Sequence, residues 1–485
     1  MTAVTDWAGR VTRYTYDENY RLIRTERPNG TVEQRHYDAA GQLLRLWDQN
    51  AQGVMLQQYR FVYNELGQIM QEEEKQYTYD ALRRLTRGAM AGRKILYTYD
   101  QGGNITAIGD SGSSLATAMT YAKDNRLDTV DGQTVQYDED GNLLLLPGKQ
   151  QPETYAYDAR NRLVRAGQAR YTYDAEYVRT SMTWNGKTTR YVVDQNADLT
   201  QVLMELEETG ATKAYYVYGL GLIGREDAQG DYLSYHVDTR GSTTLLTDEH
   251  GRVTDRFTYG LYGELEAHEG RTKQPFCYNG RDGVMTDPNG LYYMRARYYH
   301  PGLKRFLNRD VLQGDMTDGQ TFNRFAYVNG DPIGFIDPLG LMKCKADNDP
   351  DEILFGQRRI SDTFRMNSGA PDYIEGRKLA DVAADLKSGK LHPDQFEVKY
   401  FIDPTTGKKV AESNRTLATL SMAGMKPTKV KEITPSQEVL NRLNTKLPEN
   451  KPLRQRGETF NVPGRAIPIT VGPNNLEILD VVRLP

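Results

Sequence analysis

Cysteine is nearly absent from this 485-residue chain: only Cys277 and Cys344 occur, so neither a disulfide framework nor a cysteine-based zinc site organises it. Long apolar runs are missing too. No stretch of about 18 apolar residues is found, and the opening MTAVTDWAGR has no basic segment followed by an apolar one. The expectation is a chain without a membrane span or a Sec signal. Tryptophan and phenylalanine are scarce, at 3 and 12, beside 33 tyrosines and 44 glycines, a balance that favours many short, half-exposed strands joined by glycine turns over long helices. With 26% charged and 10% aromatic residues, the chain is too polar for a membrane protein and too aromatic for a disordered one.

The length exceeds that of a typical single domain about threefold, so at least two folding units are expected. Composition places their boundary near residue 341. Beyond it lie only two tyrosines, Tyr373 and Tyr400, and 9 of the 44 glycines. Formal charge changes sign there as well: residues 342–485 carry 23 Lys and Arg against 19 Asp and Glu, a net +4, which leaves −8 of the total −4 on residues 1–341.

Before the boundary the sequence repeats, and the unit is Tyr-Asp-x-x-Gly-x-Leu or a close variant. It appears at Tyr16-Asp17, Tyr37-Asp38, Tyr63-Asn64, Tyr79-Asp80, Tyr99-Asp100, Tyr121, Tyr137-Asp138, Tyr157-Asp158 and Tyr173-Asp174, with successive tyrosines 16 to 26 residues apart. Such a period fits strand, turn and strand. Alternation such as Tyr155-Ala-Tyr157 running into a turn reads as hairpins, and a lone hairpin cannot bury its apolar face. The repeats must therefore stack into a continuous antiparallel sheet.

These residues resemble the Rhs/YD-repeat family. The resemblance extends through Tyr235-His-Val-Asp-Thr-Arg-Gly-Ser-Thr-Thr-Leu-Leu-Thr-Asp248, Tyr278-Asn-Gly-Arg281 and Gly290-Leu-Tyr-Tyr-Met-Arg-Ala-Arg-Tyr-Tyr299, and it covers roughly residues 5–341. It implies a hollow shell of β-strands, here a partial cocoon, around a variable C-terminal cargo that is usually a toxin. Because family members are longer and this chain opens within a repeat, the expectation is the C-terminal part of a larger shell or a displaced cassette. The expected organisation is YD/Rhs repeats over 1–230, a core-associated domain over 231–341 and a small α+β toxin domain over 342–485.

Pro332-Ile-Gly-Phe-Ile-Asp-Pro-Leu-Gly-Leu341 matches the family's Pro-x4-Asp-Pro-x-Gly-Leu signature without a mismatch. The resemblance implies self-cleavage after the final leucine, between Leu341 and Met342. Such chemistry needs one carboxylate to activate water and a second, protonated carboxyl to polarise the carbonyl, since two close carboxylates do not both ionise cheaply. Asp337 is one member by motif position. Asp310, in Arg305-Phe-Leu-Asn-Arg-Asp310, occupies the place of the family's upstream aspartate, and the adjacent Arg309 is the candidate to hold a carboxylate or stabilise the oxyanion. Lys304 stands where the family usually has glycine, and Val311 where proline is common. Arg295, Arg297 and Arg305 read as packing and strand-pair groups.

The cargo segment reads as α+β, with a helix over 374–389, a strand over 396–402, a turn at 403–407, a short strand over 408–411 and a helix over 413–424. It holds one histidine, His392, and one cysteine, Cys344, so paired-histidine nucleases, His-Cys-Cys zinc deaminases and Cys-His hydrolases lack their parts. No Gly-x4-Gly-Lys-Ser/Thr loop is present either. What remains is a helix start with Ser413, Asn414 and Arg415, physically a phosphate site. With the Gly389-Lys-Leu-His-Pro393 segment and strand before it, it resembles the ParB/sulfiredoxin-like fold over about residues 353–430. That resemblance carries Arg415 over as a phosphate ligand, with Asn414 where a glutamate is expected. Arg358 and Arg359 are candidates to complete a basic pocket. Glu412 and Asp403 are candidate bases or metal carboxylates, though each reads more readily as structural.

The combined expectation is an Rhs-type toxin of interbacterial competition, delivered in a type VI-like manner, whose effector acts in the target-cell cytoplasm on nucleic acid or a nucleotide. Its implied partners are a cognate immunity protein, a secretion apparatus and nucleic acid, and a nucleotide or divalent metal is left open as cofactor. Two other readings stand beside it: an ADP-ribosyltransferase using Arg415 and Glu477, and an inactive shell fragment with a passive interaction tail.

Overall fold

In a computed structural model of the chain, the described residues are 1–18, 21–39, 41–90, 92–113, 116–148, 151–197, 199–314, 318–341, 343–345, 354–355, 360–364, 373–402, 409–423, 425, 427, 429–434, 454–455, 458–459, 466–471 and 477–483. They fall into two compact units, one formed by residues 2–18 and 22–348 and the other mainly by 349–485.

The first unit contains two fourteen-stranded sheets in which every strand pairs antiparallel with the next along the chain. One runs from Ala3–Thr5 to Gln133–Thr134 and the other from Gln136–Tyr137 to Leu265–Glu269. The repeat explains this meander residue by residue. After the strand Val32–Tyr37 the chain reverses: Asp38 N donates to Gln42 O at 2.9 Å, and the Asp38 carboxylate accepts from Gln42 N at 2.8 Å. An aspartate that bonds its own turn in this way stabilises it. Gly41 supplies the left-handed position, with φ 83°. The leucine then starts the next strand facing inward; Leu43, Leu85, Leu127, Leu143 and Leu163 are all buried.

Tyrosine ties each unit to the previous one. Tyr63 OH donates to Leu43 O at 2.8 Å, Tyr79 OH to Ile69 O at 2.7 Å, Tyr99 OH to Leu85 O at 2.7 Å and Tyr121 OH to Ile105 O at 2.7 Å. In each case the acceptor is the backbone of the leucine or isoleucine position one repeat earlier. Phenylalanine would pack there but leave that extra bond unmade, which accounts for the excess of tyrosine.

Residues 276–333 pack on the buried face of these repeats as a block of rings. It includes the short strands Tyr292–Met294, Arg297–His300 and Arg305–Phe306, and Phe276, Tyr278, Tyr292, Tyr299, Phe306, Phe325 and Tyr327 are fully buried. Repeats and block share one apolar core. The wholly buried Arg179–Asp287 pair, 2.7 Å apart, binds one to the other.

The second unit is α+β. A four-stranded mixed sheet has the order Leu354–Phe355, Lys409–Ala411, Glu397–Ile402, Lys429–Glu432, and a three-stranded sheet has the order Ile360–Ser361, Ala466–Val471, Glu477–Arg483. Helices Leu379–Lys387 and Asn414–Met422 bury Leu379, Val382, Leu386, Leu417 and Leu420 with Phe396 and Val398. The first helix starts five residues inside the stretch 374–389, at Leu379; ahead of it Gly376 N and Arg377 O bond the backbone of Phe364. The turn expected at 403–407 lies outside the described residues.

Candidate functional site

The segment Asp337–Leu341 is pinned by three consecutive residues of one hairpin turn. Arg295 Nη1 donates to Pro338 O at 2.6 Å, Ala296 N to Leu339 O at 3.1 Å, and Arg297 Nε to Gly340 O. Arg295 reaches this position through a left-handed backbone, φ 56°, and its other donors go to Thr200 Oγ1, Thr200 O and Asp282 O. Gly340 is required on two counts. Its φ is 67°, and a Cβ there would lie 2.5 Å from Met294 O.

Arg297 also joins the two aspartates. Its Nη2 lies 2.7 Å from Asp310 Oδ2 and 3.6 Å from Asp337 Oδ2, with all three side chains buried. The carboxylates are thus no further apart than those two contacts laid end to end. Nη1 donates to Arg324 O at 2.8 Å, and the guanidinium rests 3.6 Å from the centre of the Phe306 ring. Burial draws Arg297 below the usual arginine range, while the two aspartates push it back up. Asp310 is held by its backbone, N to Arg324 O at 2.9 Å, and its Oδ1 accepts from Leu312 N at 2.8 Å. Asp337 Oδ1 accepts from Leu341 N at 3.0 Å, so one carboxylate bonds the leucine that ends its own motif.

Arg309 does not share this cluster. Its side chain is exposed, and the guanidinium that contacts both aspartates is that of Arg297, which the sequence suggested was a packing group. The physical reason is which residues of this segment pack inward. Outside any strand, Asn308 and Asp310 are buried and bonded to the protein, while Arg309 between them is exposed. A signal was available: Arg295 and Arg297 lie in a run of buried tyrosines, where a guanidinium demands acceptors. Lys304, in the usual glycine place, adopts φ 58° and pairs its ammonium with Glu264. Met342 lies outside the described residues.

In the second unit, Arg415 Nε donates to Ser361 Oγ at 3.1 Å. Ser413 precedes the helix, but its hydroxyl accepts from Lys399 N at 3.2 Å and makes no cap bond. Asn414 is buried, and its amide donates to Ala411 O at 2.9 Å and Glu412 O at 3.2 Å. Glu412 is exposed. Of the seven candidates in this unit four lie among the described residues, and the structure brings Ser413, Asn414 and Arg415 to one helix start but engages their side chains with the protein. Arg358, Arg359 and Asp403 lie outside the described residues. Among the described residues, no group of three or more His, Cys, Asp and Glu side chains is arranged to hold a metal. No helix among them is long and apolar enough to cross a membrane.

Comparison with known proteins bears on the first unit. A family model described as the teneurin YD-shell matches residues 67–333, and one described as the RHS repeat matches residues 1–32. The tRNA nuclease WapA of Bacillus subtilis is 31% identical over 263 residues, covering 51% of this chain and 11% of WapA. The double-stranded DNA deaminase toxin A of Burkholderia cenocepacia is 26% identical over 348 residues, covering 68% of this chain and 21% of that toxin. Among solved structures, a Photorhabdus luminescens Tc holotoxin pore matches with a TM-score of 0.57 at 20% identity, over 71% of this chain and 21% of that one, a likeness of fold. The chain thus spans between a tenth and about a fifth of the length of these curated relatives. A shell model matched over more than half of the residues, on a meander whose turns and tyrosine bonds repeat as its motif requires, leads to one conclusion: the chain belongs to the teneurin YD-shell family of YD/Rhs-repeat proteins.

Proposed function

We propose that this chain is a toxin of the Rhs type whose shell unit cuts the backbone between Leu341 and Met342 and so frees a C-terminal effector. The observation that carries the reading is Asp310 and Asp337 sharing Arg297, with Asp337 bonded to Leu341 N. Arg297, nearer to Asp310, favours the ionised form of that carboxylate, which serves as the base for water. Asp337 is then the member that carries the proton and polarises the scissile carbonyl. The grip on the Pro338, Leu339 and Gly340 carbonyls holds that bond in one geometry, which supports attack by a positioned water. The mass of the expressed chain tests this. Two fragments split after Leu341, reduced to one intact chain by Asp337→Asn or Asp310→Asn, are expected; an uncut wild-type chain rejects the reading.

The effector acts on nucleic acid. Two relatives named for acting on tRNA and on double-stranded DNA support that class, as does the net positive charge of residues 342–485. Arg415, with Ser413 and Asn414 beside it, is the proposed phosphate contact. A cognate immunity protein covers this unit in the producing cell, delivery is through a secretion apparatus, and the target is a competing bacterium. Incubation of the cut full-length chain with tRNA, total RNA and plasmid is the test: cleavage or base modification is expected, and full activity of Arg415→Ala removes that residue from the site.

A further inference from the structure

The described residues on either side of position 342 are each held by the shell unit. Phe335 pairs with Lys345 and Ile336 with Cys344, antiparallel. Cys344 Sγ donates to Ile336 O at 3.5 Å, and Lys343 Nζ lies 5.1 Å from the centre of the Phe335 ring. The upstream side is held by different residues, Arg295, Ala296 and Arg297. Consistent with this, the first compact unit runs through Asn348, past the Leu341–Met342 bond, and does not stop at it.

A cut at this bond therefore leaves each side with its own contacts. We propose that the edge of Phe335–Ile336 is a docking surface for residues 343–345 of the chain itself, and that it keeps the C-terminal product attached to the shell after the covalent link is gone. A strand edge captures an extended segment through main-chain hydrogen bonds, and here the cation of Lys343 on the Phe335 ring adds to them. The ladder is short, so attachment is reversible: release follows separation of these strands and not hydrolysis alone. This rests on the reading of Leu341–Met342 as the cut bond, but the docking is testable with a cut supplied from outside.

The experiment uses the full chain with Asp310→Asn to silence self-cleavage and a site-specific protease sequence inserted between Leu341 and Met342. The chain is held on resin by an N-terminal tag, cut to completion as judged on a denaturing gel, and washed in native buffer while the C-terminal fragment is followed over time. Release is expected to be about tenfold slower with the natural ladder than with Cys344→Pro and Lys345→Pro, which remove its donors. Lys343→Ala, which leaves the backbone pairing in place, is expected to speed release about twofold. Equal release from natural and proline chains, including none from either, overturns the proposal. Self-cleavage is scored separately in the unmodified chain, so its failure and the failure of docking are distinguishable.

Discussion

Asp48 and His236, 188 residues apart, meet at 2.7 Å between Asp48 Oδ1 and His236 Nδ1, with neither side chain exposed to solvent. They tie the first sheet to the second. Asp48 also accepts from Arg27 Nη1 and Gln57 Nε2, each at 2.8 Å, and His236 Nε2 lies 2.9 Å from Thr247 Oγ1, itself bonded by Asn29. Arg27 in turn pairs with Glu33.

This tie predicts acid sensitivity. Burial lowers the proton affinity of His236, aided by Arg27, so the folded state keeps the ring neutral where the unfolded chain, at its ordinary 6.5, begins to protonate. Its stabilising contribution is complete above that value and declines as pH falls below it. Asp48 is held below the ordinary 3.8 by His236 and Arg27 against its burial, so its contribution is present above 3.8 and declines below. Both effects have the same sign. Thermal unfolding of the first unit followed from pH 8 to 4 should show a falling midpoint from about pH 6.5, and His236→Gln should flatten the upper part of that fall.

Arg297 and Arg309 make opposite predictions for the same reaction. Arg297→Met leaves two buried carboxylates without their shared cation and should reduce the self-cleaved fraction at least about a hundredfold in rate. Arg309→Ala removes an exposed side chain and should leave the rate within about twofold. Time-resolved mass spectrometry of freshly translated chain measures both; equal loss in the two variants would return the role to Arg309.

Gly340→Ala should slow cleavage without unfolding the shell, since its Cβ would meet Met294 O at 2.5 Å and push the Pro338–Leu341 segment off Arg295 and Arg297. The strain expected from a left-handed alanine is about 1 kcal/mol, small against the stability of the first unit. A full loss of folded protein, seen by circular dichroism, would contradict this.

Arg179 and Asp287 are buried together at 2.7 Å. Removing one charge strands the other, so Arg179→Met should destabilise the first unit by about 3–5 kcal/mol, and adding Asp287→Asn should restore part of it. Urea unfolding of the two variants decides the matter.

Arg83 occupies the turn position that Gly41, Gly67, Gly103 and Gly141 fill in other repeats, with φ 66°. Arg83→Gly should raise stability by about 0.5 kcal/mol, the relief of a left-handed side chain less the entropy glycine adds to the unfolded state.

What the sequence by itself determined is local. Tyr37, Asp38, Gly41 and Leu43 state a turn in seven residues, and its recurrence dictates a meander, because each hydrogen bond of the turn closes within four residues and the tyrosine bond reaches back only one repeat. The candidate acids Asp310 and Asp337 could be named from the sequence for the same reason: they belong to short motifs. Only the tertiary structure decided which arginine stands between those acids, which histidine clasps the two sheets, and that residues 343–345 fold back on Phe335–Ile336. These pairings join residues of differing and often long separation, and no periodicity carries them. They are chosen by burial, since a charge or amide withdrawn from water takes whichever partner the packed chain brings within reach.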